Sequence, residues 1–300
     1  ADRFLHEIGE VTKHLAKISK QDESDPVSSA TTGSRYLNSI QQWIVTSAAR
    51  NQNSEFQFEL ARIIEARTIW STITRERSQD FEKMIAPWAH RVANIGENEI
   101  VSDPRNAALK SSELATGAIR DSLDYLDTFL RELTYQKQSD KKRIKLILSI
   151  VNREIALELG HDSGELRLSS ILQGKTYDIE HIASQSQRAT AKFADGRDYL
   201  VDSIGNLTLW YYPDNRAARD ALPEEKTEKY SDSSLLITKI LCPRDFLSSE
   251  SLSGKWTSVG VTKAGYLSDW GPERIVERNN DIANWLRVYF SRELLNSTKP

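Results

Sequence analysis

A glutamate and a histidine stand side by side at Glu180 and His181, inside the stretch "YDIEHIASQ". An asparagine follows at Asn206 in "SIGNLTLWYY", and another at Asn215, nine positions further on. These residue types suit hydrolysis of a phosphodiester. The attacking water needs a base, and an imidazole is the usual choice near neutral pH. The charged transition state and the leaving oxygen need a divalent cation. A hard cation such as Mg²⁺ takes oxygen from one or two carboxylates or amides, with water completing its shell. A histidine beside a carboxylate, plus one amide oxygen brought from elsewhere, is a minimal set for that reaction.

Positioning such a set requires particular elements. "KTYDIEHI" and "SIGNLTLWYY" carry β-branched and aromatic residues at strand density. The polar stretch "ASQSQRATAKFADGRDYLVD" lies between them, and "PDNRAARDALPEEKTEKY" follows with small and charged helix formers. Asp214 or Asn215 suits the N-cap of that helix. The predicted order is strand, loop, strand, helix, which could bring a strand end and a helix start together. In a regular strand Glu180 and His181 would point to opposite faces. Both reach one site only if the strand ends or bends at this pair, as the polar "ASQSQ" allows.

The rest of the chain reads as helix. Tyr36, Leu37, Ile40, Trp43 and Ile44 recur at helical intervals, and a longer helix is expected over Phe56 to Ile73 with Leu60, Ile63, Ile64 and Trp70 on its apolar side. Pro87 should end or kink the next segment. "SSATTGS" at 28–34 and "GENEIVSDPRN" read as loops. Ile119, Leu123, Leu126, Leu130 and Leu133 step by fours and threes, as do Ile144, Leu148, Val151 and Ile155, with Gly160 at a C-cap position. Pro272 suits a first helical position, and Ile275, Ile282, Trp285, Leu286 and Tyr289 share a face. These stripes are read as core packing. His6, His14, His90 and His161 lack spaced metal partners and are read as structural, and Cys242 as a small buried residue. Trp210, Tyr211 and Tyr212 could stack on bases, but packing of a strand on helices accounts for them better. "DKKRIK" at 140–145 is read as a solvated helix start.

An apolar share of 39% permits a sizeable core, and no apolar run approaches the roughly 18 residues of a membrane span. A single cysteine excludes an internal disulfide and fits a reducing, cytoplasmic setting. The net charge of −3 predicts weak DNA binding by the chain alone, unless its charges are segregated or a partner supplies the grip. The chain begins with Ala1 rather than Met, which fits either a fragment of a longer protein or removal of an initiator methionine.

Taken together, "YDIEHI", "IGNLTL" and the later asparagine resemble the HNH, or ββα-metal, nuclease motif, and within it the nuclease half of GmrSD-type modification-dependent restriction enzymes. That family continues into a helix with a Lys and a Tyr, matched by "EEKTEKY" with Lys226, Lys229 and Tyr230. "DWGPERIVERNNDIANWL" is similar to its closing helix, and "YDIEHI" to the start of the HNH domain of RNA-guided DNA nucleases. The motif match covers residues 177 to 230. The family often has proline directly before the glutamine, as in "HILPQ", where this chain has Ser184 before Gln185.

The resemblance implies His181 as general base, with Glu180 and Asn215 as ligands of Mg²⁺ or Mn²⁺. It implies that Asn206 holds the loop by hydrogen bonds to backbone, and that Asp178 is a supporting acidic residue. Lys226 or Arg216 would meet a DNA phosphate. The expected fold is mainly α, a helical domain enclosing a small ββα-metal (HNH) core: a helical region over 1–170, the core over 171–232, and a C-terminal helical region over 233–300 packing on it. The expected activity is nicking or cutting of DNA in defence against phage. The family's usual N-terminal partner half, ParB/sulfiredoxin-like and nucleotide-handling, has no visible counterpart here, and no Gly-rich phosphate loop occurs. The alternatives are a catalytically silent helical adaptor or regulatory module and an HNH nuclease acting on RNA.

Overall fold

A computed structural model describes residues 2–19, 25–160, 168–242, 267 and 270–295. It divides the chain into two compact units, one of Ala1–Leu123 with Phe290–Lys299, the other essentially Asp124–Tyr289. The second unit holds the hairpin.

Capping residues set the first unit's helices. After α1 (Asp2–Ser19), α2 (Pro26–Ala30) starts where Asp25 accepts from the Ser28 N–H at 2.9 Å, with proline in the first turn. α3 (Thr32–Tyr36) begins where the buried carboxylate of Glu65 accepts from Gly33 and Ser34 N–H. The expected loop at 28–34 is thus two helical turns, because a carboxylate 31 residues away satisfies N–H groups that local sequence leaves open. α4 (Trp43–Ala48) precedes α5 (Ser54–Ile73), which Asn53 caps at Phe56 N–H. Leu60, Ile63, Ile64 and Trp70 of α5 are all buried.

α6 (Ser78–Ala93) continues through Pro87, which does not end it. Phe81, Ile85, Trp88 and Val92 are buried on its one side, and their burial offsets the roughly 3 kcal/mol cost of an interior proline. "GENEIVSDPRN" is also more ordered than its polar turn residues predict. It forms α7 (Glu97–Ser102) and the start of α8 (Pro104–Thr116), with Asp103 capping Asn106 N–H at 2.9 Å.

In the second unit α9 (Leu126–Arg131) leads to α10 (Gln138–Glu158), the longest helix before the hairpin. Gly160, with φ +71°, sits just past its end, in the left-handed conformation that glycine adopts without strain. α11 (Leu168–Leu172) precedes β1 (Tyr177–His181). β1 pairs antiparallel with β2 (Leu207–Tyr211), from Tyr177 opposite Tyr211 to His181 opposite Leu207. The 25 residues between the strands fold as a series of 3-10 turns. α12 (Tyr212–Ala218), α13 (Thr227–Ser231), α14 (Leu236–Lys239) and α15 (Pro272–Leu295) follow. α12 starts directly from β2 with Pro213 in its first turn, so Asn215 lies inside the helix and neither it nor Asp214 is the cap.

The described residues are mainly helical with one small two-stranded antiparallel sheet. A buried cluster gathers Ile182, Ala183, Phe193, Val201, Trp210, Tyr230, Cys242, Trp270 and Ile275 around the hairpin. Trp210 and Tyr230 meet edge to face at 4.7 Å, so Trp210 is core, whereas Tyr211 is exposed. His161 lies outside the described residues. No described helix is long and apolar enough to cross a membrane.

Candidate active site

β1 has one edge against β2 and one edge facing away from it. On that outer edge, alternate carbonyls are taken by side-chain donors: Tyr177 O by Lys145 Nζ (2.8 Å), Ile179 O by Asn215 Nδ2 (3.2 Å), and His181 O by Lys226 Nζ (2.8 Å). Asp178 Oδ1 accepts from Ile179 N–H at 2.7 Å. Three elements, α10, α12 and the turn before α13, thereby grip a strand edge that would otherwise expose bare backbone.

A cleft of about 310 Å³ opens along this edge. Tyr135, Asp178, Glu180, His181, Gln185, Tyr212, Asn215, Arg216 and Arg219 are among its walls. The strand ends at His181, and both members of the Glu180–His181 pair reach the cleft.

Asn206, between the last 3-10 turn and β2, has no solvent exposure. Its Nδ2 donates to Ala183 O (2.9 Å) and Val201 O (2.7 Å), and its Oδ1 accepts from Ala183 N–H and Trp270 Nε1–H, both at 2.9 Å. All four hydrogen-bonding positions of the amide are filled, and it ties the segment after His181 to the start of β2. It cannot touch a substrate. A Cβ at the preceding Gly205 would lie 2.1 Å from Ile275 O, so only glycine lets α15 approach this turn.

Residues 103–285 match the family described as GmrSD restriction endonucleases, C-terminal domain. That span is more than half of the chain. The protein belongs to this family. No curated protein and no solved structure matches it.

In this GmrSD C-terminal domain, Glu180 is buried, and its Oε1 accepts from Lys226 Nζ at 2.6 Å and Tyr230 O–H at 3.2 Å. Burial pushes the Glu180 carboxyl above its usual range, against the opposing pull of the Lys226 ammonium. Lys226 itself is 1% exposed and also donates to Ile182 O. The expected contact between Lys226 and a DNA phosphate is therefore corrected: its ammonium is sealed inside the fold. Arg216 is exposed on the cleft wall, its guanidinium 5.6 Å from the Tyr212 ring centroid and bonded to the Tyr212 hydroxyl. Arg219, also on the wall, has φ +44°, a conformation uncommon for a side-chain-bearing residue.

Two oxygens of cleft residues, Glu180 Oε2 and Asn215 Oδ1, engage no hydrogen bond among the described residues. Both are pure acceptors, the donor chemistry a hard divalent cation takes. No group of three or more His, Cys, Asp or Glu side chains among the described residues is arranged to hold a metal ion.

Several neighbours of His181 were not legible beforehand. Its Nε2 lies 3.2 Å from Asp202 Oδ1, and its ring meets Tyr135 edge on at 4.5 Å. Asp202 is buried and also bound by Gln136 Nε2 (2.7 Å) and Arg188. Asp202 sits in the polar stretch four residues before Asn206, and Tyr135 and Gln136 come from the turn before α10; no motif residue points to any of the three. Ser184, in the family's proline position, has φ −61° and ψ 157°, the backbone a proline would impose. Cys242 is buried and donates to Thr227 O, its thiol pushed up to about 12 by burial.

Proposed function

We propose that this chain is the nuclease part of a restriction system, cutting or nicking DNA through a ββα-metal site in the cleft beside β1. The carrying observation is that His181, Glu180 and Asn215, from the end of one strand and the helix after the next, line one cleft with two uncommitted oxygens.

His181 would take the proton from a water whose oxygen attacks phosphorus, and the P–O bond to the leaving sugar oxygen breaks as the new one forms. Glu180 and Asn215 would hold Mg²⁺ or Mn²⁺, which when bound supplies positive charge to the phosphate and leaving oxygen. Lys226 and Tyr230 fix the Glu180 carboxylate, Ile179 O orients the Asn215 amide, and Asn206 fixes the loop behind the base. Arg216, exposed on the cleft wall beside Arg219, is a cation suited to a backbone phosphate. With one such cleft among the described residues the expected product is a nick. Restriction of phage DNA, a cytoplasmic setting and control by a nucleotide-handling N-terminal half belong to the same reading.

Supercoiled plasmid incubated with the purified chain and Mg²⁺ or Mn²⁺ should convert to open circles, and chelation should stop it. His181→Ala should lose about 10²-fold or more in rate while remaining folded, with a lower unfolding midpoint because Asp202 and Tyr135 lose a partner. Equal plasmid patterns from wild type and His181→Ala would overturn the assignment. Cleavage of labelled RNA but not plasmid would redirect it to RNA.

A further inference from the structure

We propose that Asp202 is a positioning residue for the base: its carboxylate holds the Nε2–H of His181 and so makes Nδ1 the nitrogen that receives the proton. This rests on the nuclease reading for the identity of the base, but the orientation of the ring is argued from its contacts alone.

Asp202 is 1% exposed, and both of its oxygens are engaged. Oδ1 faces His181 Nε2 at 3.2 Å, with the Gln185 amide nitrogen 3.4 Å away. Oδ2 accepts from Gln136 Nε2 at 2.7 Å and from Arg188. The backbone is pinned as well, because Tyr135 N–H donates to Asp202 O at 2.9 Å and Thr134 bridges to Ser203. A carboxylate paired with a guanidinium is ionised, and an ionised carboxylate only accepts hydrogen bonds. The Gln185 amide nitrogen also lies 3.5 Å from His181 Nε2, at the limit of a hydrogen bond, whereas the carboxylate contact is shorter at 3.2 Å. The neutral imidazole has a single N–H, and turning it to the carboxylate places that hydrogen on Nε2 and the lone pair on Nδ1.

The ring has little room to turn. The Tyr135 ring meets it at an interplanar angle of 83°, and the Lys141 ammonium lies 4.1 Å from the Tyr135 centroid. The strand beneath is fixed by Lys226 on His181 O. Asp202 and Asn206 lie on one run of 3-10 turns, so the segment that Asn206 locks also delivers the carboxylate. A plain structural role for Asp202, as partner of Arg188 alone, would leave the imidazole free to adopt either tautomer.

Long-range ¹H–¹⁵N correlation spectra of the full chain, at a pH where the ring is neutral, distinguish these. His181 signals are identified by their loss in His181→Gln. The expected result is a protonated Nε2 and a lone-pair Nδ1. A ring protonated on Nδ1 in the wild type overturns the proposal, and this reading needs no variant to fold. Asp202→Asn can donate as well as accept, so the Nε2–H form should no longer dominate, and plasmid nicking should fall about 10²-fold or more in kcat with KM unchanged. Gln136→Leu, which leaves the imidazole contact in place, should keep the wild-type tautomer. An Asp202→Asn protein that folds, keeps the Nε2–H tautomer and nicks at the wild-type rate also overturns it. A wild type with the expected tautomer but no nuclease activity removes the nuclease reading and leaves the ring orientation standing.

Discussion

Lys226 Nζ lies 2.6 Å from Glu180 Oε1, and both side chains are shielded from solvent. The family pattern's lysine thus works inward: it pairs with a carboxylate whose charged form burial disfavours, and leaves the other oxygen, Oε2, without a hydrogen bond among the described residues. Removing only the lysine strands a buried charge. Lys226→Met should cost about 3 kcal/mol or more, read as a lower denaturation midpoint, whereas Glu180→Gln with Lys226→Met should recover much of it. In the proposed site a cation held by Glu180 would compete with the ammonium for the same carboxylate, so Mn²⁺ should raise the melting temperature of Lys226→Met more than that of the wild type. Equal stability of wild type and Lys226→Met would mean the pair does not form.

Asn206 is a second place where one side chain carries several bonds. Its truncation leaves Ala183 N–H, Ala183 O, Val201 O and Trp270 Nε1–H without their partner in a fully buried site. Each unsatisfied group costs about 1–3 kcal/mol before water enters. Asn206→Ala should lose several kcal/mol by urea denaturation, and Asn206→Asp, which keeps the acceptor but not the donors, should also destabilise. A loss below about 1 kcal/mol would show that the amide does not lock the loop.

The hairpin was legible because Ile179, Leu207, Leu209 and Trp210 carry strand-forming side chains at strand spacing and the motif supplied the pairing order. α5 was legible because apolar residues recur between Phe56 and Ile73, and α10 because Ile144, Leu148, Val151 and Ile155 recur over about three turns. What escaped was whatever depends on a distant partner. Glu65 satisfies the N–H groups of α3 from 31 residues away, Trp88 and its neighbours hold α6 together across Pro87, and Gln136 reaches Asp202 across 66 positions. Lys226 was misread for the same reason. A lysine in "EEKTEKY" reads as a solvated cation until the carboxylate that buries it is known, and that carboxylate is 46 residues earlier.

Ser184 offers a test of backbone shape that leaves the chemistry alone. Its φ of −61° lies where proline is locked, and Ala183 N–H, just before it, is already held by Asn206. Ser184→Pro should stabilise the protein by about 0.4–1 kcal/mol through the unfolded chain, seen as a higher melting midpoint with nicking retained. The loss of the Ser184–Ser186 hydroxyl contact subtracts little at this partly buried site. A clear destabilisation would mean the turn cannot take the ring.

Asp202 ties stability to pH with a definite sign. Burial alone would push its carboxyl up, but hydrogen bonds from His181, Arg188 and Gln136 outweigh that and hold it well below the usual carboxylate range. A carboxyl that ionises more readily in the folded than in the unfolded chain contributes stability at pH above its unfolded value, about 3.9, and loses it as pH falls further toward its folded value. Glu180, raised by burial, has the opposite sign: the folded state gains relative stability as pH falls through its elevated range. The wild type should therefore lose stability steeply between about pH 4 and pH 2, and Asp202→Asn, already weaker at pH 7, should show a flatter dependence over that window. Urea midpoints for the two proteins at closely spaced pH values check this. Parallel curves down to pH 2 would mean that the Asp202 carboxylate is not held by its three partners in the folded chain.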